Sequence, residues 1–152
     1  MISIKTKLIH PDAKLPTRAH NTDAGFDLYC VKTKWDANYK QRVCHSGIAV
    51  EIPEGFVGLL FPRSSIYRTH LHLSSAVGVI DSGYRGEVTA RFRVDPNTTG
   101  KGGTCKPHRL YQMGERFAQL IILPIPAVEF IEVEELNDNT DRGANGYGSS
   151  GK

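Results

Sequence analysis

Residues 48–61, IAVEIPEGFVGLLF, decide the fold class. Ile48, Val50 and Ile52 recur at every second position, the period of a strand with one buried face. Pro53-Glu54-Gly55 supplies a turn, and Phe56 to Phe61 resumes as a more continuously apolar strand, so the stretch reads as a β-hairpin. The same period returns at Val88, Ala90, Phe92 and Val94, which alternate with Thr89, Arg91 and Arg93. That puts apolar groups on one face and cations on the other, a half-buried strand. Phe117 to Ile125 is apolar on both faces apart from Gln119, which predicts a strand covered on both sides by core or by a neighbouring subunit.

Outside these runs no long window carries helical periodicity without one of the 15 Gly or eight Pro interrupting it. The expected class is all-β, a sandwich, jelly roll or barrel, with at most one short helix after Ser64 or Ser65. At 152 residues the chain has room for a single domain. Segments 95–109 and 137–152 are rich in Gly, Asn, Thr and Ser and read as a mobile loop and a flexible tail. The loop is also a surface on which a further protein partner could act.

The net charge of +3 is spread along the chain rather than gathered into a basic stripe, so a small anionic ligand is compatible and a nucleic-acid polymer is not indicated. The apolar run Leu120–Leu123, ended by Pro124, is far short of a membrane span, and MISIKTKLIH lacks the apolar core of a signal peptide. A cytoplasmic protein without membrane association is expected. Cys30, Cys44 and Cys105 form no C-x-x-C pair and read as free thiols; the six His show no H-x-x-x-H pair, so no zinc is assigned. Gly146 to Lys152 spells G-x-x-x-x-G-K, but the chain stops before the Ser or Thr and the helix that a phosphate loop needs.

Chemistry is expected where ionisable residues interrupt apolar, Gly-containing stretches, because there the backbone can approach a ligand closely. Five such places occur: residues 24–28 (AGFDL), 62–65 (PRSS), 78–87 (GVIDSGYRGE), 114–120 (GERFAQL) and 142–151 (RGANGYGSSG). Taken singly each has a plainer reading. Asp81 before Ser82-Gly83 fits a hairpin turn, Asp27 a loop cap or an arginine partner, Arg63 and Arg116 structural ion pairs, Gln119 a bridge between strands, and Ser149 with Ser150 a linker.

Together and in this order they resemble the five motifs of the trimeric dUTPases, from residue 24 to the end of the chain. The resemblance implies a jelly-roll-like subunit in a homotrimer with active sites shared between subunits, hydrolysing dUTP to dUMP and pyrophosphate with Mg²⁺. It implies that Asp81 is the catalytic carboxylate, taking a proton from the water that attacks the α-phosphorus. Arg63, Ser64, Ser65, Arg116, Gln119 and Arg142 would hold the triphosphate, joined by Gly148 and Ser149 of the tail. The backbone of Gly78, Val79 and Ile80 would read the uracil edge, and Tyr84 would lie against the deoxyribose and exclude a 2′-hydroxyl. Tyr147, where most members carry Phe, would stack on uracil as the tail closes. Asp27 would hold metal-bound water. Ser65 and Asn145 stand where Gly is frequent, and Asn145 tolerates the positive φ such a turn needs.

Two other readings are carried. The dCTP deaminases share the fold and an Arg-Ser-Ser signature similar to Arg63-Ser64-Ser65, but need a glutamate ten residues past the aspartate; here that residue is Arg91. A non-catalytic module that binds nucleotide as a switch would have no need of Asp81, Arg142 and Tyr147 together.

Overall fold

The computed structural model describes residues 2–69, 71–94, 110–137 and 139–145. Among these residues nine strands form two antiparallel sheets. The first contains β1 (Lys5–Leu8), β3 (Lys32–Asp36), β4 (Gln41–Glu51), β6 (Leu71–Leu73) and β8 (Glu87–Val94), in the order β1-β4-β8-β6 with β3 also paired to β4. The second contains β2 (Phe26–Tyr29), β5 (Phe56–Pro62), β7 (Gly78–Ile80) and β9 (Arg116–Pro124), in the order β2-β9-β5-β7. The only helical turn among the described residues is a 3₁₀ turn, Ser64–Arg68, where a short helix was expected. The all-β, jelly-roll-like class is borne out, and no helix of the described residues is long and apolar enough to cross a membrane.

Two expectations about connections are corrected. The turn at residues 53–55 does not close a hairpin: β4 belongs to the first sheet and β5 to the second, so the chain crosses from one layer to the other. The turn at 81–86 likewise carries the chain from β7 in the second sheet to β8 in the first. Alternation tells which side of a strand is buried, and both a hairpin and a crossover satisfy it. What selects the crossover is burial. Ile48 and Val50 of β4, Ile52 just beyond its end and Leu60 of β5 all face one core, and each is 3% exposed or less. The layers meet closely at Gly58, where a Cβ would lie 2.7 Å from Ile52 Cδ1 and 3.2 Å from Leu120 Cδ1. A larger residue there would displace the ends of the Ile52 and Leu120 side chains from their packing.

The strand expected at 88–94 is β8, with Val88, Ala90 and Phe92 buried and Arg91 and Arg93 exposed. Phe92 anchors an aromatic cluster, 5.3 Å from the Tyr111 ring, which in turn lies 6.5 Å from Phe117 in an edge-on arrangement. Burying a side chain of this size contributes roughly 1.5–3 kcal/mol. β9 follows the expected strand within one residue, but its cover is uneven. Phe117 and Ala118 are fully buried, whereas Leu123 and Ile125 at the far end are 43% and 49% exposed.

Cys30 and Cys44 are free and buried, and Cys30 Sγ donates to the Lys32 carbonyl at 3.4 Å. The Cys30 sulfur, together with burial, pushes the Cys44 thiol far above the usual range, so it stays protonated and unreactive. In the folded protein a thiol reagent at neutral pH is expected to label neither residue, and denaturant to expose both. Rapid native labelling of Cys30 or Cys44, located by peptide mass, would contradict this packing.

Candidate functional site

One cluster of expected site residues is built on the outward face of the second sheet. Antiparallel register sets Asp27 of β2 opposite Gln119 of β9, and Gln119 opposite Phe61 of β5, so the three side chains share a face. Asp27 is only 9% exposed and both its oxygens are engaged. Oδ1 accepts from Arg63 Nε at 2.7 Å, and Oδ2 from Arg116 Nη1 at 3.0 Å. The structure therefore realises the ion-pair reading of Asp27, Arg63 and Arg116. Arg63 Nη1 also donates to Ser65 Oγ at 3.3 Å. A guanidinium carries five N–H donors in a rigid fork. The carboxylate and hydroxyl thus aim Arg63 while its other donors stay available to an anion.

Arg63 is set by the backbone as well, since it immediately precedes the 3₁₀ turn and its carbonyl accepts the Ile66 N–H at 2.9 Å. Ser64 is exposed on the first position of that turn. Gln119, the polar interruption of an apolar strand, donates from Nε2 to the Pro62 carbonyl at 3.0 Å. Its amide occupies the space above Gly25, where any Cβ would collide with Gln119 Oε1. Beside these groups a cavity of about 200 Å³ opens between Arg63, Ser65, Arg68, Thr69, Tyr111 and Glu115.

A second cluster surrounds β7. This strand is the edge of its sheet, paired only with β5 through Leu60↔Gly78, Leu59↔Val79 and Gly58↔Ile80. Its outer edge presents the backbone N–H and C=O groups that an edge strand leaves for a ligand. The turn that follows holds Asp81, which is exposed, and Tyr84, which is 44% exposed. Tyr84 N–H donates to the Asp81 carbonyl at 3.0 Å, and Arg85 Nη1 donates to the carbonyls of Ser82 and Tyr84. A cavity of about 170 Å³ lies between Leu60, Gly78, Val79, Asp81, Tyr84 and Glu87.

The two clusters stand at opposite ends of the sheet. Ile80 is level with Gly58, and Asp27 and Gln119 are level with Phe61. Asp81, one residue further on, is thus about 13 Å along the strand direction from the Gln119 row, and β7 is three strand spacings, about 14 Å, from β2. Within one chain Asp81 does not reach the Arg63 cluster. Arg142 belongs to neither group: its Nε donates to the Asn145 carbonyl at 3.0 Å in a turn whose positive φ, 51°, falls at Gly143 rather than at Asn145. Tyr147, Gly148 and Ser149 lie outside the described residues, as does the loop 95–109. Among the described residues no three His, Cys, Asp or Glu gather as a metal cage. Glu87 and Gly86 line or shape the second cavity and were not singled out from sequence, although both end the third motif.

A sequence model of the dUTPase family matches residues 11–151. Deoxyuridine 5′-triphosphate nucleotidohydrolase of Nocardia farcinica is 40% identical over 150 residues, covering 97% of this chain and 85% of its own. That of Corynebacterium glutamicum is 40% identical over 154 residues, covering 100% and 97%. Among solved structures, a mutant dUTPase of Staphylococcus bacteriophage 80alpha with dUpNHpp superposes with a TM-score of 0.82 at 32% identity, covering all of both chains. A mutant dUTPase from phage phi11 of S. aureus, described with a structural Mg(II) ion, gives 0.70 at 31% identity, covering 88% of this chain and 98% of its own. A match of this extent, over a chain whose second sheet carries motif residues in two separate clusters, places the protein in the dUTPase family.

Proposed function

We propose that the protein hydrolyses dUTP to dUMP and pyrophosphate at sites shared between three copies of the chain. The observation that carries this reading is the separation of the clusters. A carboxylate that activates water and the cations that hold a phosphate chain must act within a few ångströms of one another. In one chain they are far apart, and a second copy brings Asp81 and β7 of one subunit to Arg63, Ser64 and Gln119 of another.

The surfaces needed for that assembly are present. Register places Val57, Leu59, Phe61, Val79, Ile121 and Leu123 on the outward face of the second sheet, and Val79 is 65% exposed. Beyond β9 the chain carries Val128, Phe130, Ile131 and Leu136, each 72% or more exposed. So much uncovered apolar surface marks an interface.

In the site so formed, Asp81 takes the proton from the water attacking the α-phosphorus as pyrophosphate leaves. Arg63 and Ser64, with Ser65, Arg116, Gln119 and Arg142 around them, neutralise and orient the triphosphate. The outer edge of β7, at Gly78, Val79 and Ile80, offers alternating donor and acceptor groups to uracil, and Tyr84 closes against the sugar. Tyr147, Gly148 and Ser149 of the tail complete the enclosure. Mg²⁺ suits a triphosphate, since it binds phosphate oxygens and retains waters. Both Asp27 oxygens are held by arginines, so this carboxylate is suited to fixing Arg63 and facing metal-bound water, not to binding the ion directly. Arg91, at the position where a deaminase needs its glutamate, donates to Asp36 Oδ2 at 2.7 Å on the other sheet, which favours hydrolysis over deamination.

Pyrophosphate release from dUTP, dTTP, dCTP and UTP with Mg²⁺, and chromatography of the products, tests the activity. Conversion of dUTP alone to dUMP is expected; formation of dUTP or dUMP from dCTP would assign a deaminase instead. Sedimentation is expected to give three times the chain mass of 16.8 kDa. Removing residues 141–152 is expected to leave this trimer folded with little hydrolysis, because the tail closes the site without building the core. Full turnover by the truncated protein would rule out a role for the fifth motif.

A further inference from the structure

Strand β4 is irregular where it passes β8. His45 is level with Thr89 and Ala49 with Glu87, so three residues of β4 oppose the single Val88. At such a bulge the ladder is interrupted and its backbone groups need other partners. Side chains supply them. Ser46 Oγ donates to the Val88 carbonyl at 2.5 Å, and Glu87 Oε1 accepts the Gly47 N–H at 2.8 Å. Glu87 Oε2 pairs with His45 Nδ1 at 2.8 Å, and both of these side chains are three-quarters buried. Glu87 is thus fastened to β4 by both carboxylate oxygens.

The backbone of the same residue holds Tyr84. The Tyr84 hydroxyl donates to the Glu87 carbonyl at 3.0 Å. The ring folds back over Gly86 so closely that the three nearest atoms to a Cβ there would all be Tyr84 atoms, with Cζ at 2.6 Å. Only glycine leaves this seat open. A ring clamped at its hydroxyl and supported along its side has little freedom to retreat.

We infer that Glu87 and Gly86 are positioning residues for sugar selection: Glu87, stitched to the β4 bulge through Gly47 and His45, fixes Tyr84 against the 2′ position of the nucleotide. This rests on the proposed placement of Tyr84 against deoxyribose. Selection by exclusion works only if the excluding group cannot yield to the extra hydroxyl. A loosened Tyr84 admits ribose, and discrimination falls while the chemistry of Asp81 is retained.

The test compares kcat/KM for dUTP and UTP in wild type, Glu87→Ala, Glu87→Gln and Gly86→Ala, with trimer mass and thermal unfolding measured alongside. In Glu87→Ala the dUTP:UTP ratio is expected to fall by about tenfold or more, and in Glu87→Gln, whose amide oxygen still accepts the Gly47 N–H, to stay within about threefold of wild type. Gly86→Ala, whose added methyl would meet Tyr84 first, is expected to lower the ratio by a similar factor to Glu87→Ala, and decides the matter where Glu87→Ala does not fold. A purely structural role would lower stability and both rates together and leave the ratio unmoved. Wild-type selectivity in folded Gly86→Ala, or in folded Glu87→Ala, overturns the inference. Absence of dUTP hydrolysis by the wild type would instead overturn the proposed function on which it rests.

Discussion

Asp81→Asn is expected to lower turnover of dUTP by about 10²-fold or more while nucleotide binding and trimer mass stay as in the wild type. Asp81 is exposed at the start of a turn, and its backbone carbonyl accepts the Tyr84 N–H. Asn retains that backbone bond and nearly the same volume, so the substitution removes the base and little else. A single-turnover experiment separates the effect on chemistry from product release. Near-normal turnover would remove Asp81 from the mechanism. The same variant tests the shared site. When Asp81→Asn chains are unfolded and refolded with Arg63→Ala chains in equal amounts, hybrid trimers form, and about one site in four draws an intact Asp81 from one chain and an intact Arg63 from another. At dUTP concentrations below the KM raised by Arg63→Ala, activity of the mixture should therefore exceed that of either variant refolded alone. Failure of the mixture to do so, with hybrids shown by mass, would place both residues of each site on one chain.

Asp27→Ala is expected to damage both stability and substrate binding. The carboxylate is nearly buried, with 12% side-chain exposure, and holds Arg63 and Arg116 at 24% and 44%. Breaking a fully buried pair typically costs about 3–5 kcal/mol, chiefly because a desolvated charge is left unpaired. Arg116 can turn toward solvent and Arg63 only partly, so a loss of about 2–3 kcal/mol is expected, seen as a fall of several degrees in the unfolding temperature. The loosened Arg63 should raise KM for dUTP more than it lowers kcat, since its proposed part is to hold phosphate and not to move a proton. Asp27→Asn keeps one acceptor oxygen and should fall between. An unchanged unfolding temperature and KM in Asp27→Ala would show that the two arginines are held by other means.

Much of the site was legible in the sequence because its residues break local rules. Gln119 interrupts an apolar strand, and Asp81 sits in a Gly-flanked turn at the end of one. Gly86 and Glu87 were quoted within a motif yet carried no evident role, because what each does depends on a group elsewhere. Gly86 is needed for the ring of Tyr84, and Glu87 for a backbone N–H on β4, 40 positions earlier in the chain. His45 gives no signal at all until its neighbour across the ladder is known.

Period-two alternation determined from sequence that β8 is a strand and which of its faces is buried, since each side chain's preference for core or water is its own property. The order of the five motifs carried the resemblance to the family. Which sheet each strand enters was decided only by the tertiary structure. Backbone hydrogen-bonding groups are the same at nearly every residue, so nothing local distinguishes a turn that closes a ladder from one that crosses the core. That choice at residues 53–55 and 81–86 puts β4 over β5 and β8 behind β7. Pairing of β7 with β5 likewise sets Asp81 at the far end of the sheet from Arg63, a separation that no local stretch of the chain encodes.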